Sequence, residues 1–498
     1  MAEHLISIEE AETSLLSCAA FVAGSIKSAD GHAAAMSEIV PRYLSRNAVD
    51  SAAELANTVD DPFTRDRLLR DVAEKCAALD DDEYALQLVE AIEEPSTQDE
   101  ARERIALQKA AQSDYAAAFE IAESLPHADF AFAEIAGRQA AEDEAGALKT
   151  IEKIEFSNAR VAAFSNIALT NLQKNDAVKA AEWLGKAAAA AEEIEFTEEK
   201  IIAFINLGNH FLEANVKGRA IEIFDRAKTD AETLDGVQRD GFLANIAVGF
   251  LEAGSLELAE RTLDLVNDNV QTATALVGYG REFWKRGEKA EAAETLEEAL
   301  AILKSQRDRE VRDSRARYNL WASIAVEFAR FEKPERAIET AQEIPEEAAQ
   351  TDALKQIAQI CGAQNKDDFA RQAVNALADD AQKMFALLGI SDAKNKADRP
   401  AEALNYLREA GSLAETVEQL SARSAAFNEL AKRFYNHGDA EKMRELQYEN
   451  LETIFNVRDE SNRAAALAQM ADFYESKNLE INRAEREMML RIIGKTNG

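Results

Sequence analysis

Proline and glycine are scarce in this chain, 7 and 20 among 498 residues, and no serine- or glycine-rich run appears. Nothing in it reads as a flexible linker between separate domains. Cysteine is scarcer still. Cys18, Cys76 and Cys361 form neither a metal-ligand spacing nor an even disulfide framework. With no Asn-x-Ser/Thr acceptor anywhere, this favours a reducing, cytoplasmic location. No apolar run approaches the ~20 residues that span a bilayer, so no membrane insertion is expected. Met1 to Asp30 carries Glu3, Glu9, Glu10 and Glu12 where a signal peptide would place Lys or Arg, and is not a targeting segment.

Catalytic signatures are missing too. His4, His32, His127, His210 and His437 are scattered, and none pairs with another at a metal-binding spacing. No GxSxG elbow and no GxGxxG turn appears. Gly494-Lys495-Thr496 lacks the glycine a phosphate-binding loop needs five residues earlier, where Met489 stands. Asp80-Asp81-Asp82 lacks the oxygen spacing of a calcium loop and reads as a solvated turn. No catalytic, metal-binding or cofactor-binding residue is therefore singled out, and neither an enzyme nor a cofactor is expected. Positive charge is in deficit as well: 57 Lys and Arg against 92 Asp and Glu give a net −35. Such a field repels phosphate backbones, which argues against nucleic acid, and attracts basic protein surfaces.

What the chain does have is an internal ruler. Small residues recur at Ala52, Ala85, Ala118, Ala147, Ala180, Ala220, Ala259, Ala292, Ala337, Ala370 and Ala403, with Met443 standing in afterwards. The steps are most often 33 residues, with longer ones of 39, 40 and 45 and a single 29. A fixed period of this size marks a stack of supersecondary units. Twelve residues before most of these lies a second small residue, as in Ala73, Ala168, Gly208, Ala247, Gly280, Ala325, Ala358, Ser391 and Ala431. Four residues before that position stands a large apolar one (Leu69, Phe204, Trp321, Phe427), and three after it often an aromatic one (Phe211, Phe250, Phe328, Phe434). These spacings lie along one face of a helix. Asn175-Asp176 and Gly438-Asp439 read as the turn into a second helix. Most of the longer steps add six or seven residues, about two turns, so a second helix can lengthen without rotating its apolar face away from the stack. Cys76 and Cys361 fall in the aromatic slot and read as core.

This pattern resembles the tetratricopeptide repeat family, over roughly residues 35 to 493. The repeats are degenerate, since Cys or Lys replaces the family's aromatic in several units and the closing proline is mostly absent. The resemblance implies an all-α fold, a right-handed α-solenoid superhelix of about 12–13 hairpins whose first helices line a concave groove. Residues 1–34 are read as an N-terminal capping helix opened by a Ser7/Glu10 capping box, 35–480 as one continuous array, and 481–498 as a closing helix and tail.

The function implied is a non-catalytic scaffold or adaptor that holds a protein or peptide in the groove. A regulatory sensor that changes superhelical shape on binding a small peptide or ligand stays open as an alternative, and an enzyme subunit as a more remote one. The sequence leaves the oligomeric state undetermined. Family members that clamp a C-terminal carboxylate place Lys and Asn at matched positions; Asn209 matches one, but Ile205 replaces the lysine, so such a clamp is not expected. The groove is expected to be apolar at Ile202, Ile205, Leu212, Val248, Leu251 and Val277, part of which can be inter-repeat core. Candidate partner-binding residues are Arg281, Trp284, Lys285, Asn319, Arg330, Lys355, Gln359, Asn428, Lys432 and Tyr435. Trp284, one turn beyond the small Gly280 and flanked by Arg281 and Lys285, suits an anchor for a peptide or loop, or else a tryptophan buried between repeats.

Overall fold

The computed structural model describes residues 5–305 and 314–496, and His4 lies outside them. Every element among the described residues is a helix. The chain divides into two compact units, one formed by Met1–Ile105 with Leu354–Gly498, the other by Ala106–Ala353. The first begins with α1 (Ile8–Ala11), α2 (Leu15–Gly24), α3 (Ala29–Ser45), α4 (Val49–Asn57), α5 (Pro62–Ala78), α6 (Asp82–Ala91) and most of α7 (Pro95–Ala111). The second holds α8 (Tyr115–Glu123), α9 (Asp129–Gln139), α10 (Glu144–Ile151), α11 (Ser157–Gln173), α12 (Ala177–Ala191), α13 (Thr197–Glu213) and α14 (Lys217–Ala231). It continues with α15 (Gly236–Glu252), α16 (Leu256–Leu263), α17 (Asn269–Arg286), α18 (Lys289–Ser305), α19 (Ser314–Arg330), α20 (Pro334–Gln342) and the start of α21 (Glu347–Ala363). The first unit is completed by α22 (Asp367–Asn375), α23 (Asp380–Lys396), α24 (Pro400–Ala414), α25 (Leu420–Asn436), α26 (Ala440–Asn456), α27 (Glu460–Ser476) and α28 (Arg483–Thr496).

The period read from the sequence is a helical hairpin. In the first unit α3 pairs with α4, α5 with α6, α23 with α24 and α25 with α26; in the second, α9 to α20 pair in order. All the alanines of the second-helix ruler are fully buried. The reason is steric: at the crossing point the two backbones come too close for a longer side chain. Phe224 on α14 shows how tight this is. An added Cβ on Gly208 of α13 or on Gly249 of α15 would lie 2.4 Å from its ring, so the ring sits between two glycines of successive first helices.

First helices end in a recurring way. Asn175 takes a left-handed φ of 60°, and the Asp176 N–H donates back to the Asn171 carbonyl at 2.9 Å. Val216 to Phe211 and Asp439 to Phe434 repeat the bond, so the aromatic-slot residue also supplies the carbonyl that closes the helix. The aspartate that follows then caps the second helix: Asp176 accepts from Lys179 N–H and Asp439 from Lys442 N–H, both at 3.0 Å. Second helices lengthen where the ruler steps lengthen, to 15 residues in α12 and α14 and 17 in α18, while α16 stays at 8. Buried aspartates staple neighbouring hairpins. Asp129 accepts from the Glu155 and Phe156 N–H groups, and Asp240 from those of Asn267 and Asp268, satisfying donors just ahead of the next first helix.

The two ends of the chain meet. Residues 5–34 form two helices and the start of a third, because Ser14 caps a new helix three residues after α1 ends, its hydroxyl accepting from Ser17 N–H. The capping box at Ser7 and Glu10 opens α1. Eight of the ten residues of α2 are buried. It packs on α27 as a second helix packs on its first, while α28 runs beside α26 and α2. On the adjoining edge α3 also touches α27, where Arg42 pairs with Asp472 at 3.0 Å and Arg46 with Glu475. A single hairpin is thus assembled from opposite ends of the sequence.

Candidate binding surface

The first helices of the second unit present one face to their second helices and leave another free. On α13, α15 and α17 that free face forms a hollow of about 500 Å³. Its walls come from residues three or four apart: Ile205, Asn209 and Leu212; Asn245, Val248 and Glu252; Thr274, Gly278 and Arg281. Ile205, Leu212 and Val248 are half-buried and Asn209 is exposed. Gly278 belongs here for a reason of space, since an added Cβ would come within 2.7 Å of Val248. The Asn245 amide donates to the Gly241 carbonyl of its own helix at 3.0 Å, and its oxygen faces no donor among the described residues. Burial holds the Glu252 carboxyl above the usual carboxylate range; Glu282 adds to this, and Lys285, 3.8 Å away, opposes it. The arrangement combines an apolar floor with carboxamides that can each donate and accept, which matches the hydrogen-bonding pattern of a peptide backbone.

The expected groove residues divide between the two units, and the structure gives them different work. Ile202, Ile205, Leu212 and Val248 reach the surface, whereas Leu251 and Val277 are core. Trp284 is half-buried: its indole stacks on Phe331 at 4.7 Å and 10°, and the Lys289 ammonium lies 4.6 Å from its centroid. The stack joins neighbouring hairpins and leaves part of the ring at the surface. Arg281 donates to Glu327 at 2.9 Å, and Arg330 to the same carboxylate at 2.6 Å. Glu327 is only 2% exposed, and both arginines, about half exposed themselves, pair with it. Lys285 and Asn319 are exposed.

In the first unit Gln359 is exposed, Lys355 half-buried, and Lys432 pairs with Glu429 at 2.7 Å. Tyr435 lies edge-on to Phe473, 5.8 Å away. Asn428 is 4% exposed, accepts from Gln447 and donates to the Gln469 carbonyl, so its side chain belongs to an internal network and is not offered to a partner. Its polarity made it look like a groove residue, but polarity alone does not say which way a helical side chain faces.

Among the described residues no three His, Cys, Asp or Glu side chains gather as they would around a metal ion. Nor is any described helix long and apolar enough to cross a membrane. His210 contacts Glu213 at 3.2 Å, and among the described residues no further ligand-type side chain joins them.

No protein-family model and no curated protein matches the chain. Solved structures do. Aspartyl phosphate phosphatase F from Bacillus subtilis is 11% identical, with 87% of this chain and 96% of that one covered at a TM-score of 0.30. Yeast Tom70 is 16% identical, with 90% and 97% covered at 0.27. A signal transduction ATPase with a tetratricopeptide repeat sensor from Pyrococcus horikoshii is 13% identical, with 80% and 63% covered at 0.25. Scores this low add nothing to what the coordinates say. The small-residue crossings and left-handed turns described above make each unit an all-α array of helical hairpins.

Proposed function

We propose that this protein is a non-catalytic scaffold that holds an extended peptide segment of another protein on the free faces of α13, α15 and α17. One observation carries the reading: a hollow of about 500 Å³ whose floor is Ile205, Leu212 and Val248 and whose rim carries the carboxamides of Asn209 and Asn245. Apolar side chains of a bound segment enter the floor, and its peptide groups meet the two amides. Glu213 and Glu252 beside the hollow favour a segment with a positive charge, in keeping with the net charge of −35. Three buried free thiols fit a reducing compartment, and the cytoplasm is the location proposed.

The test is site-specific photo-crosslinking in the native host. A benzophenone amino acid at Leu212 should trap a discrete set of polypeptides. The same group at Val178, 75% exposed on the second helix α12, should not. Identical adducts at both positions would remove the hollow from consideration.

A further inference from the structure

A second apolar surface lies away from the hollow, along the N-terminal edge of three successive first helices. Phe130 is the second residue of α9, Phe156 immediately precedes α11 and Phe196 immediately precedes α13. These rings are 52%, 57% and 69% exposed, an unusual amount of solvent contact for phenylalanine. Together they line a hollow of about 450 Å³. The local sequence explains why two of them match: Ile154-Glu155-Phe156-Ser157 and Ile194-Glu195-Phe196-Thr197 are the same device 40 residues apart. In each the isoleucine is buried and anchors the loop, and the phenylalanine is left outside. Isolated exposed apolar residues need no explanation, but an aromatic row around a hollow does.

The rim of this hollow is acidic. The basic side chains nearby are already engaged: Lys153 with Glu123 at 3.5 Å, Arg160 with Glu193 at 2.6 Å, and Lys200 with Glu192 at 3.1 Å. Glu155 and Glu195, beside Phe156 and Phe196, form no ion pair among the described residues, and Glu199 receives only the Asn158 amide at 3.5 Å. The surface therefore combines unsatisfied apolar area with uncompensated negative charge.

We infer that this edge is a docking surface for a cationic amphipathic segment of a partner protein, one in which apolar side chains alternate with lysine or arginine. Charge decides among occupants. A second copy of this chain brings another −35 and is repelled, and so is an anionic bilayer or a nucleic acid. A cationic segment gains twice, by covering the rings and by neutralising Glu155 and Glu195.

The experiment uses the full chain and three labelled synthetic peptides of about twelve residues, alternating Leu-Lys, Ser-Lys and Leu-Glu, read by fluorescence anisotropy at low and moderate salt. The Leu-Lys peptide should bind tightest and keep most of its affinity in salt, Ser-Lys should bind at least ~10-fold more weakly, and Leu-Glu should not bind. Phe156→Ser with Phe196→Ser should weaken Leu-Lys binding at least ~10-fold and leave Ser-Lys unchanged, and both side chains are exposed enough for the fold to tolerate the change. Glu155→Gln with Glu195→Gln should reduce the salt dependence. Val178→Ser, an exposed apolar residue of α12 that lines neither hollow, should leave Leu-Lys binding as it was. Equal binding of Leu-Lys and Ser-Lys to the native chain, or undiminished Leu-Lys binding to the Phe156/Phe196 variant, would overturn the inference.

Discussion

Replacing Leu16 by alanine should loosen a helix that is more than 440 residues away in sequence. Leu16 is fully buried on α2 and borders the same crevice as Ala471 and Tyr474 of α27. Truncating such a leucine costs about 2–5 kcal/mol, through lost transfer energy and the cavity left behind. The competing contribution is ionic. Arg42–Asp472 and Arg46–Glu475 bridge α3 to α27, but the two carboxylates are 47% exposed, and pairs of that kind contribute about 1 kcal/mol or less each. Apolar packing therefore dominates the junction. A loss of ~3 kcal/mol corresponds to roughly 100-fold easier opening, read directly by amide hydrogen exchange. In the full-length Leu16→Ala variant, peptides from 14–24 and 460–476 should exchange about 100-fold faster, with 157–231 unchanged. Raising salt on the native chain should accelerate the same peptides by less than about fivefold. Unaltered exchange in 460–476, or a salt effect larger than that of Leu16→Ala, would show that α2 does not hold α27 in the way described.

Four further outcomes follow from the packing and pairing of single side chains. Gly249→Ala gains about 1 kcal/mol of helix propensity yet drives a Cβ into the Phe224 ring, and should destabilise the α13–α15 region by a net ~1–2 kcal/mol in hydrogen exchange. Gly185→Ala on α12, where nothing lies within 4 Å, should stabilise instead. Removing Arg281 and Arg330 together leaves Glu327 charged and buried, and should cost about 3 kcal/mol by urea unfolding followed on α17 and α19. Adding Glu327→Gln should recover most of that loss, whereas no recovery would mean the arginines act elsewhere. Lys394, wholly buried, lies 2.7 Å from Asp367 and 3.2 Å from Glu402. Burial pushes the Asp367 carboxyl up, but hydrogen bonds from Lys394 and Tyr406 outweigh it and hold the carboxyl below the usual range. A depressed carboxylate stabilises above its unfolded value, about 4, and that stability is lost as pH falls through the lower folded value. Lys394→Met should therefore be less stable than the native chain near neutrality, with the gap closing below about pH 4 in thermal melts; a pH-independent gap would count against the assignment.

The hairpins were legible because their cause is local. A small residue at each helix crossing and an Asn, Asp or Gly in the left-handed turn leave marks in the sequence at fixed offsets, and Ala180 or Asn175 can be read without knowing any partner. Cys76 and Cys361, 1% and 0% exposed, were legible as core for the same reason. Orientation was not. Trp284 lies at groove spacing, yet it stacks on Phe331, supplied by the next hairpin, which its own hairpin's sequence does not announce. Gln447 donates to Asn428 inside the core, and neither residue type announces that. The exposed Phe156 and Phe196 did leave a signal, the repeated Ile-Glu-Phe, but it sits in the connections, outside the face that the helical period describes. The pairing of α2 with α27 left none. With apolar residues on nearly every face, α2 has no amphipathic stripe to show which way it packs, and its partner is at the other end of the chain.

That pairing sets a timetable for synthesis. The last residue of α2 is Gly24 and the first of α27 is Glu460, so 435 residues are added between them. At 5–20 residues per second the ribosome needs roughly 20–90 s to do this. Throughout that interval an apolar helix waits without the surface it is built to cover, with α3 as its nearest available shelter. The newborn chain is therefore most exposed to aggregation and proteolysis at α2, and it escapes only when α27 emerges.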